Sequence, residues 1–182
     1  MEGGIRAWEG LTAEGPPESG MAFFPDTAGT EELIGLAWVL EEGSRRFYAE
    51  LTEVVGDGEG KAVFSGLSIA EEQHKATLMD LMREIAGEET VADIPGSIAA
   101  SGEAGDIMEG GMRISQALRW IQDKPLERIL ELSISLEANA YDLYIKMTRR
   151  FEDEKSRKVF ATLVDEEKQH LGKLASLLER KI

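Results

Sequence analysis

Apolar positions recur at intervals of three and four residues along four long stretches of the chain, as they do on the buried face of an α-helix. The first stretch covers about residues 31–55 and the second about 60–86. The third covers about 125–150 and the fourth about 154–180, and a short helix is predicted over 114–121. Each long helix is therefore predicted to have about 25 residues and a length of about 38 Å.

The lengths of the connections predict how these helices are arranged. Short turns at residues 56–58 and 152–153 join the first pair and the second pair, so each pair should form an antiparallel hairpin. Residues 88–124 make a connection long enough to cross the bundle, as bundles with one crossover require. The predicted fold class is all-α, an antiparallel four-helix bundle made of two helical hairpins.

Two regions fall outside this helical pattern. Residues 1–29 are rich in Gly and Pro and are predicted to be an N-terminal extension or linker, which leaves 30–182 as the bundle domain. No chemical role is assigned to residues 88–113.

The two hairpins are related by a repeat of 96 residues. This offset carries Glu71-x-x-His74 onto Glu167-x-x-His170, and these are the two histidines of the chain. The same offset relates several further pairs: Leu40 and Leu136, Glu41 and Glu137, Tyr48 and Tyr144, Phe64 and Phe160, Leu67 and Leu163. The chain is therefore predicted to be a tandem duplication of one hairpin.

The repeated polar residues lie on helix faces that are otherwise apolar, so they are predicted to point into the core. Glu and His at positions i and i+3 share one face and can reach one point. Buried carboxylates cost several kcal/mol unless they are paired or bind metal. One Glu from each of two helices and one Glu-x-x-His from each of the other two is the ligand set of a dinuclear metal site in a bundle. The predicted metal ligands are Glu41, Glu71, His74, Glu137, Glu167 and His170.

Two tyrosines, Tyr48 and Tyr144, follow Glu41 and Glu137 by seven residues, about two helical turns. One interpretation is that they pack as aromatic core residues. The other is that their hydroxyls hydrogen-bond to the ligand carboxylates and support the chemistry of the site.

Composition narrows the class of protein. A net charge of −15 argues against nucleic acid and anionic membrane surfaces as partners. The absence of cysteine excludes disulfides and thiolate metal sites. No apolar run approaches the ~18 residues of a spanning helix, and the N-terminus lacks the pattern of a signal peptide. We therefore expect a soluble, cytoplasmic protein.

With these motifs in place, residues 30–180 resemble the rubrerythrin branch of the ferritin-like di-iron proteins. The resemblance implies that Glu71 and Glu167 bridge two iron ions, with Glu41 and Glu137 as terminal ligands and one histidine on each ion. It further implies reduction of hydrogen peroxide or O2 in protection against oxidative stress, an external electron-donor protein and a homodimer. Manganese or a mixed metal pair stays open, because such ligands suit either metal.

The chain departs from the rubrerythrin pattern in two respects. It cannot hold a Cys-ligated rubredoxin-type iron, and it has Ala140 where the family places an additional Glu after the third-helix ligand. The repeat partner of Ala140 is Ser44. The family associates that Glu with fast peroxide turnover, so the resemblance leaves open how fast this chain turns over peroxide.

Two alternatives accompany the enzyme hypothesis. The chain is interpreted either as an oxidoreductase or as a non-catalytic iron-binding or sensing module; a ferritin-like storage cage is disfavoured because no assembly feature is evident. Residues 3–10 are similar to the closing segment of a rhodanese domain, which would imply a fusion of the two domains in a longer protein. The other interpretation of these residues is an ordinary glycine-rich lead-in.

Overall fold

Five α-helices form the part of the molecule that the computed structural model describes, residues 28–87 and 104–182. The helices are α1 (Thr30–Val54), α2 (Gly58–Ala86), α3 (Ile114–Ile121), α4 (Leu126–Arg150) and α5 (Glu154–Lys181). The all-α class is confirmed, since these residues contain no strand and their isolated β-bridge joins Ile107 and Arg113. Residues 1–27 of the predicted N-terminal extension lie outside the described residues.

The repeat is visible in the two tight turns. Asp57 caps α2 by accepting a hydrogen bond from Gly60 N at 2.8 Å, and Asp153 caps α5 by accepting one from Ser156 N at 2.7 Å. These aspartates occupy equivalent positions in the two halves. Each cap satisfies a backbone N–H that the first turn of a helix leaves unpaired, which sets where the second helix of each hairpin begins.

The two hairpins contact each other directly on one side, and on the other side the connection between them packs against both. α1 packs along α2, α4 packs along α5, and α2 packs directly on α5. On the other side, the connection between the hairpins contacts both α1 and α4 through two 3₁₀ turns, Ala104–Asp106 and Glu109–Gly111. Within the described ranges, no helix is long and apolar enough to span a bilayer.

Two apolar clusters occupy the two ends of the bundle. One contains Phe47, Phe64 and Leu130, and the other contains Ile34, Leu78 and Phe160. A layer of buried polar side chains lies between them along the helices. The hydrophobic core therefore encloses this polar layer from both ends.

Candidate metal centre

All six predicted ligands belong to the polar layer. Their exposed fractions are 0% for the four glutamates, 1% for His74 and 2% for His170. Four helices contribute: α1 and α4 one Glu each, α2 and α5 one Glu-x-x-His each. The structure thus brings together the residues that the repeat and the i, i+3 spacing indicated.

The glutamates of the two Glu-x-x-His motifs each face both histidines. Glu71 places Oε2 3.0 Å from His74 Nδ1 and Oε1 3.8 Å from His170 Nδ1. Glu167 places Oε1 3.2 Å from His74 Nδ1 and Oε2 3.4 Å from His170 Nδ1. Each carboxylate has one oxygen on each side of the cluster, the arrangement needed to bridge two ions.

The other two glutamates each belong to one side. Glu41 Oε2 lies 3.1 Å from His74 Nδ1, and Glu137 Oε2 lies 3.0 Å from His170 Nδ1. The imidazole rings stack with their centroids 5.3 Å apart. Groups of ligand atoms within 4.8 Å of one another include Glu41, Glu71, His74 and Glu167 on one side, and Glu71, Glu137 and His170 on the other.

The tyrosines cross between the halves of the repeat. Tyr48 donates a hydrogen bond to Glu137 Oε1, and Tyr144 donates one to Glu41 Oε1. Both phenols are fully buried, and Tyr48 also stacks on Phe64. Burial and the neighbouring carboxylates raise the pKa of both hydroxyls well above 10, so they remain protonated donors. The two interpretations of these residues are therefore compatible.

Burial is the largest cause of the pKa shifts of Glu71 and Glu137. It raises the pKa of Glu71 well above its ordinary value, with the charges of Glu41 and Glu167 adding to the effect. It also raises the pKa of Glu137 to about 8, although contact with His170 opposes the change. Glu167 goes the other way: burial is outweighed by the two imidazoles, which lower its pKa to about 2. Without metal, the cluster retains protons at neutral pH.

The two histidines carry some of the protons that the metal-free cluster retains. Burial alone would lower the pKa of both imidazoles, but the charge of Glu41 raises that of His74 far above its ordinary value. Contacts with Glu137 and Glu167 raise the pKa of His170 to about 9. Divalent cations would displace these protons, because metal ligation requires neutral imidazole and ionised carboxylate.

Basic side chains near the cluster are paired elsewhere. Arg45 Nε lies 2.8 Å from Glu42, and Lys75 Nζ lies 2.6 Å from Glu42 and 2.9 Å from Glu72. Lys75 also lies over the Trp38 ring, 5.0 Å from its centroid. Neither cation compensates the buried carboxylates.

One outer contact distinguishes the two histidines. His74 Nε2 lies 3.0 Å from Oε2 of Glu166, whose side chain is 45% exposed. The position equivalent to Glu166 in the first half is Ala70. A carboxylate on the far nitrogen of a ligand histidine fixes its tautomer and orientation, so this contact orients His74.

One member of the polar layer, Glu109, lies in the connection between the hairpins and was not predicted from the sequence. Its side chain is fully buried, and Ser44 Oγ donates a hydrogen bond to Glu109 Oε2 at 2.9 Å. The available signal was the adjacent Gly110-Gly111 pair, which adopts positive φ angles of 72° and 71°. Such a pair indicates a tightly shaped loop, but it does not reveal which side chain the loop buries.

The donor atoms of the six predicted ligands are of the types that bind metal ions. Both oxygens of Glu71 and both of Glu167 are buried and accept no hydrogen bond within the described part of the chain. Buried polar atoms are normally satisfied, and these four converge with two imidazole nitrogens. Carboxylate with imidazole is a donor set that suits iron or manganese.

Comparisons with known proteins agree with the helical fold. The rubrerythrin family model matches residues 114–180, which include Glu137, Glu167 and His170. A "Ferritin-like-encapsulin shell fusion protein" of Pyrococcus furiosus is 42% identical over 62 residues, covering 31% of this chain and 18% of that protein. No solved structure matches the chain.

The helical bundle and these matches make the chain similar to ferritin-like proteins. Within the chain, residues 114–180 are similar to the rubrerythrin family. The family match covers the second half of the repeat. The 96-residue offset relates three residues of the first half, Glu41, Glu71 and His74, to Glu137, Glu167 and His170 of that second half.

Proposed function

We propose that this chain is a non-haem di-iron oxidoreductase that reduces hydrogen peroxide or O2 with electrons from an external donor protein. The observation that carries the proposal is the placement of Glu71 and Glu167, each with one oxygen toward each histidine. Four buried carboxylates and two imidazoles would be neutralised by two divalent cations, which gives the burial of these charges a physical reason.

The proposed roles follow from position. Glu71 and Glu167 would bridge the ions, Glu41 and His74 would complete one side, and Glu137 and His170 the other. When bound, the iron pair would supply two electrons and Lewis acidity to an oxygen–oxygen bond.

The tyrosines would control the terminal carboxylates. Reduction of one peroxide to two waters consumes two electrons and two protons. Tyr48 and Tyr144 hold their protons and donate hydrogen bonds to Glu137 and Glu41. These bonds orient the carboxylates and lower their basicity, which leaves the opposite oxygens for metal.

A second candidate function is an iron-binding or sensing module whose metal mainly stabilises the bundle. It is favoured by the nearly complete burial of the six side chains, at most 2% exposed, because a substrate could reach them only after local movement. Removing metal should then lower the melting temperature strongly while turnover with any electron donor stays absent.

The first experiment measures iron in the wild-type protein and in a His74→Ala/His170→Ala double variant, both prepared without chelator. We expect about two iron ions per chain in the wild type and loss of iron in the variant. The matched control is Gln73→Ala/Gln169→Ala, which changes exposed neighbours of the two histidines and should retain the iron.

The reaction itself is tested on the reduced, iron-loaded wild type. One equivalent of hydrogen peroxide should oxidise the iron pair faster than it oxidises the same amount of free ferrous ion. Iron that is bound but reacts no faster than free ion would favour the binding or sensing module. Failure of the wild type to bind iron would refute both candidates.

A further inference from the structure

The connection between the hairpins is built to approach the polar layer closely. On the α1 side, a Cβ added to Gly43 would lie 2.1 Å from Ile107 O and 2.7 Å from Met108 Cα. On the α4 side, a Cβ added to Gly110 would lie 2.7 Å from Asn139 Nδ2. Gly43 and Asn139 are equivalent positions of the repeat, so the segment lies against matching points of α1 and α4.

Local hydrogen bonds hold this segment in shape. Met108 N donates to Met112 O at 2.9 Å, and Gly111 N donates to Met108 O at 3.0 Å. Asp106 accepts hydrogen bonds from Ser115 N at 2.9 Å and from Ser115 Oγ at 2.6 Å, which ties the loop to the start of α3. The loop therefore presents Glu109 from a defined backbone.

The carboxylate of Glu109 lies among the predicted ligands. One of its oxygens belongs, with oxygens of Glu137 and Glu167, to a group of three within 4.8 Å of one another. Glu109 Oε1 is 3.3 Å from the Tyr144 hydroxyl, whose one proton is donated to Glu41. Ser44 binds the other oxygen, Oε2. The Glu109 carboxylate thus has an oxygen within reach of a cation on the side of Glu137 and Glu167.

A structural role alone accounts poorly for this burial. Glu109 is 0% exposed, and the charged groups that act on it most strongly are the carboxylates of Glu41, Glu167 and Glu137. A fifth buried carboxylate in this layer must either keep its proton or be offset by a cation. A neutral side chain such as Gln could hydrogen-bond to Ser44 without that requirement.

We propose that Glu109 is an additional metal ligand, delivered by the connection to the ion held on the Glu137 and Glu167 side. The proposal rests on the metal pair of the proposed function. It would supply from a loop the carboxylate that the rubrerythrin pattern places on the third helix, where this chain has the fully buried Ala140. Both Ala140 and its repeat partner Ser44 are small, and Ser44 contacts the incoming Glu109 directly.

The test compares the wild type with Glu109→Gln by anaerobic calorimetric titration with Fe²⁺. Loss of the charge should weaken one of the two binding events by about 10-fold or more, since losing even an outer partner of a ligand costs about 10–100-fold. The control is Asp123→Asn, which removes the charge of an exposed residue near the end of the same connection, and it should bind both ions as the wild type does.

The metal-free melting temperature separates ligation from anchoring. If Glu109 is a ligand, Glu109→Gln without metal melts at or above the wild-type temperature, and its melting temperature rises less than that of the wild type when Fe²⁺ is added. If Glu109 only anchors the loop, the variant without metal melts below the wild type, and Fe²⁺ raises both melting temperatures equally. A crystal structure of the Mn²⁺-loaded wild type adds a measurement that needs no variant, with a Glu109 oxygen expected within about 2.0–2.6 Å of an ion.

Failure of this inference and failure of the proposed function give different results. Two ions bound with wild-type affinity by Glu109→Gln, or Glu109 more than about 3.5 Å from both ions, would overturn this inference and leave the di-iron proposal standing. No metal pair in the wild type would overturn the proposed function itself.

Discussion

At the scale of single residues, the centre is less symmetric than the repeat that produces it. Both histidines direct Nδ1 toward Glu71 and Glu167, but Glu166 contacts the far nitrogen of His74 while its repeat equivalent is Ala70. A hydrogen-bonded carboxylate makes an imidazole a more basic and better oriented ligand. The two metal positions should therefore differ in affinity.

Glu166→Gln tests this difference. The substitution removes the negative charge at His74 Nε2 and should weaken binding of one ion by about 10–100-fold while the other is unaffected. Fe²⁺ titration calorimetry gives the two affinities. Asp165→Asn, an exposed neighbour on the same helix, is the control and should leave both unchanged; an equal loss at both positions would contradict the assignment of Glu166 to His74.

The six candidate ligands could be located from the sequence because each follows local rules. An i, i+3 pair on an apolar helix face must point into the core, and the 96-residue offset supplies its counterpart. Glu109 follows no helical period. Its burial depends on where the connection meets α1 and α4, a tertiary contact that spacing along the chain does not encode.

At the scale of elements, the fit between the connection and α1 depends on Gly43. The backbone of residues 107–108 occupies the space that any larger residue at 43 would need. Helix periodicity predicted the long helices within about two residues of their observed ends. Within the connection it predicted the short helix over 114–121. It gave no account of the segment before that helix, whose shape comes from positive-φ glycines and from packing on two helices.

Gly43→Ala should push the connection away from α1. Overpacking at such a contact costs about 1–3 kcal/mol of unfolding free energy, even though Ala suits a helix better than Gly. Denaturant unfolding at equilibrium measures the change. Gly66→Ala on α2 is the matched control, because its Cβ meets nothing within 4 Å, and it should stabilise by about 0.5–1 kcal/mol. Stabilisation of similar size by both variants would contradict the close approach.

At the scale of the whole molecule, the stability of the metal-free bundle is coupled to pH. Folding raises the pKa of Glu137 from 4.5 to about 8 and that of His170 from 6.5 to about 9. Protonation at these groups therefore favours the folded state. Their contribution is fully present below the unfolded values, and it is lost as the pH rises through about 8 and 9.

The metal-free protein should accordingly melt at a lower temperature at pH 9 than at pH 6. Each proton that the folded state retains and the unfolded chain has lost costs about 1.4 kcal/mol per pH unit. Glu167 has the opposite shift, but its pKa of about 2 acts below this window. Calorimetric melting in the presence of chelator measures the trend, and Glu137→Gln should flatten it. A metal-free melting temperature that rises from pH 6 to pH 9 would refute the prediction.

The connection occurs once in the chain, whereas the hairpin occurs twice, once on each side of it. Duplication of a hairpin would by itself produce two interchangeable half-sites with identical ligands. A single joining segment can reach such a pair from one side, and it brings Glu109 to the Glu137 and Glu167 side. If Glu109 binds metal as proposed, the linker itself would give the two halves distinct metal environments before any ligand in either copy has changed.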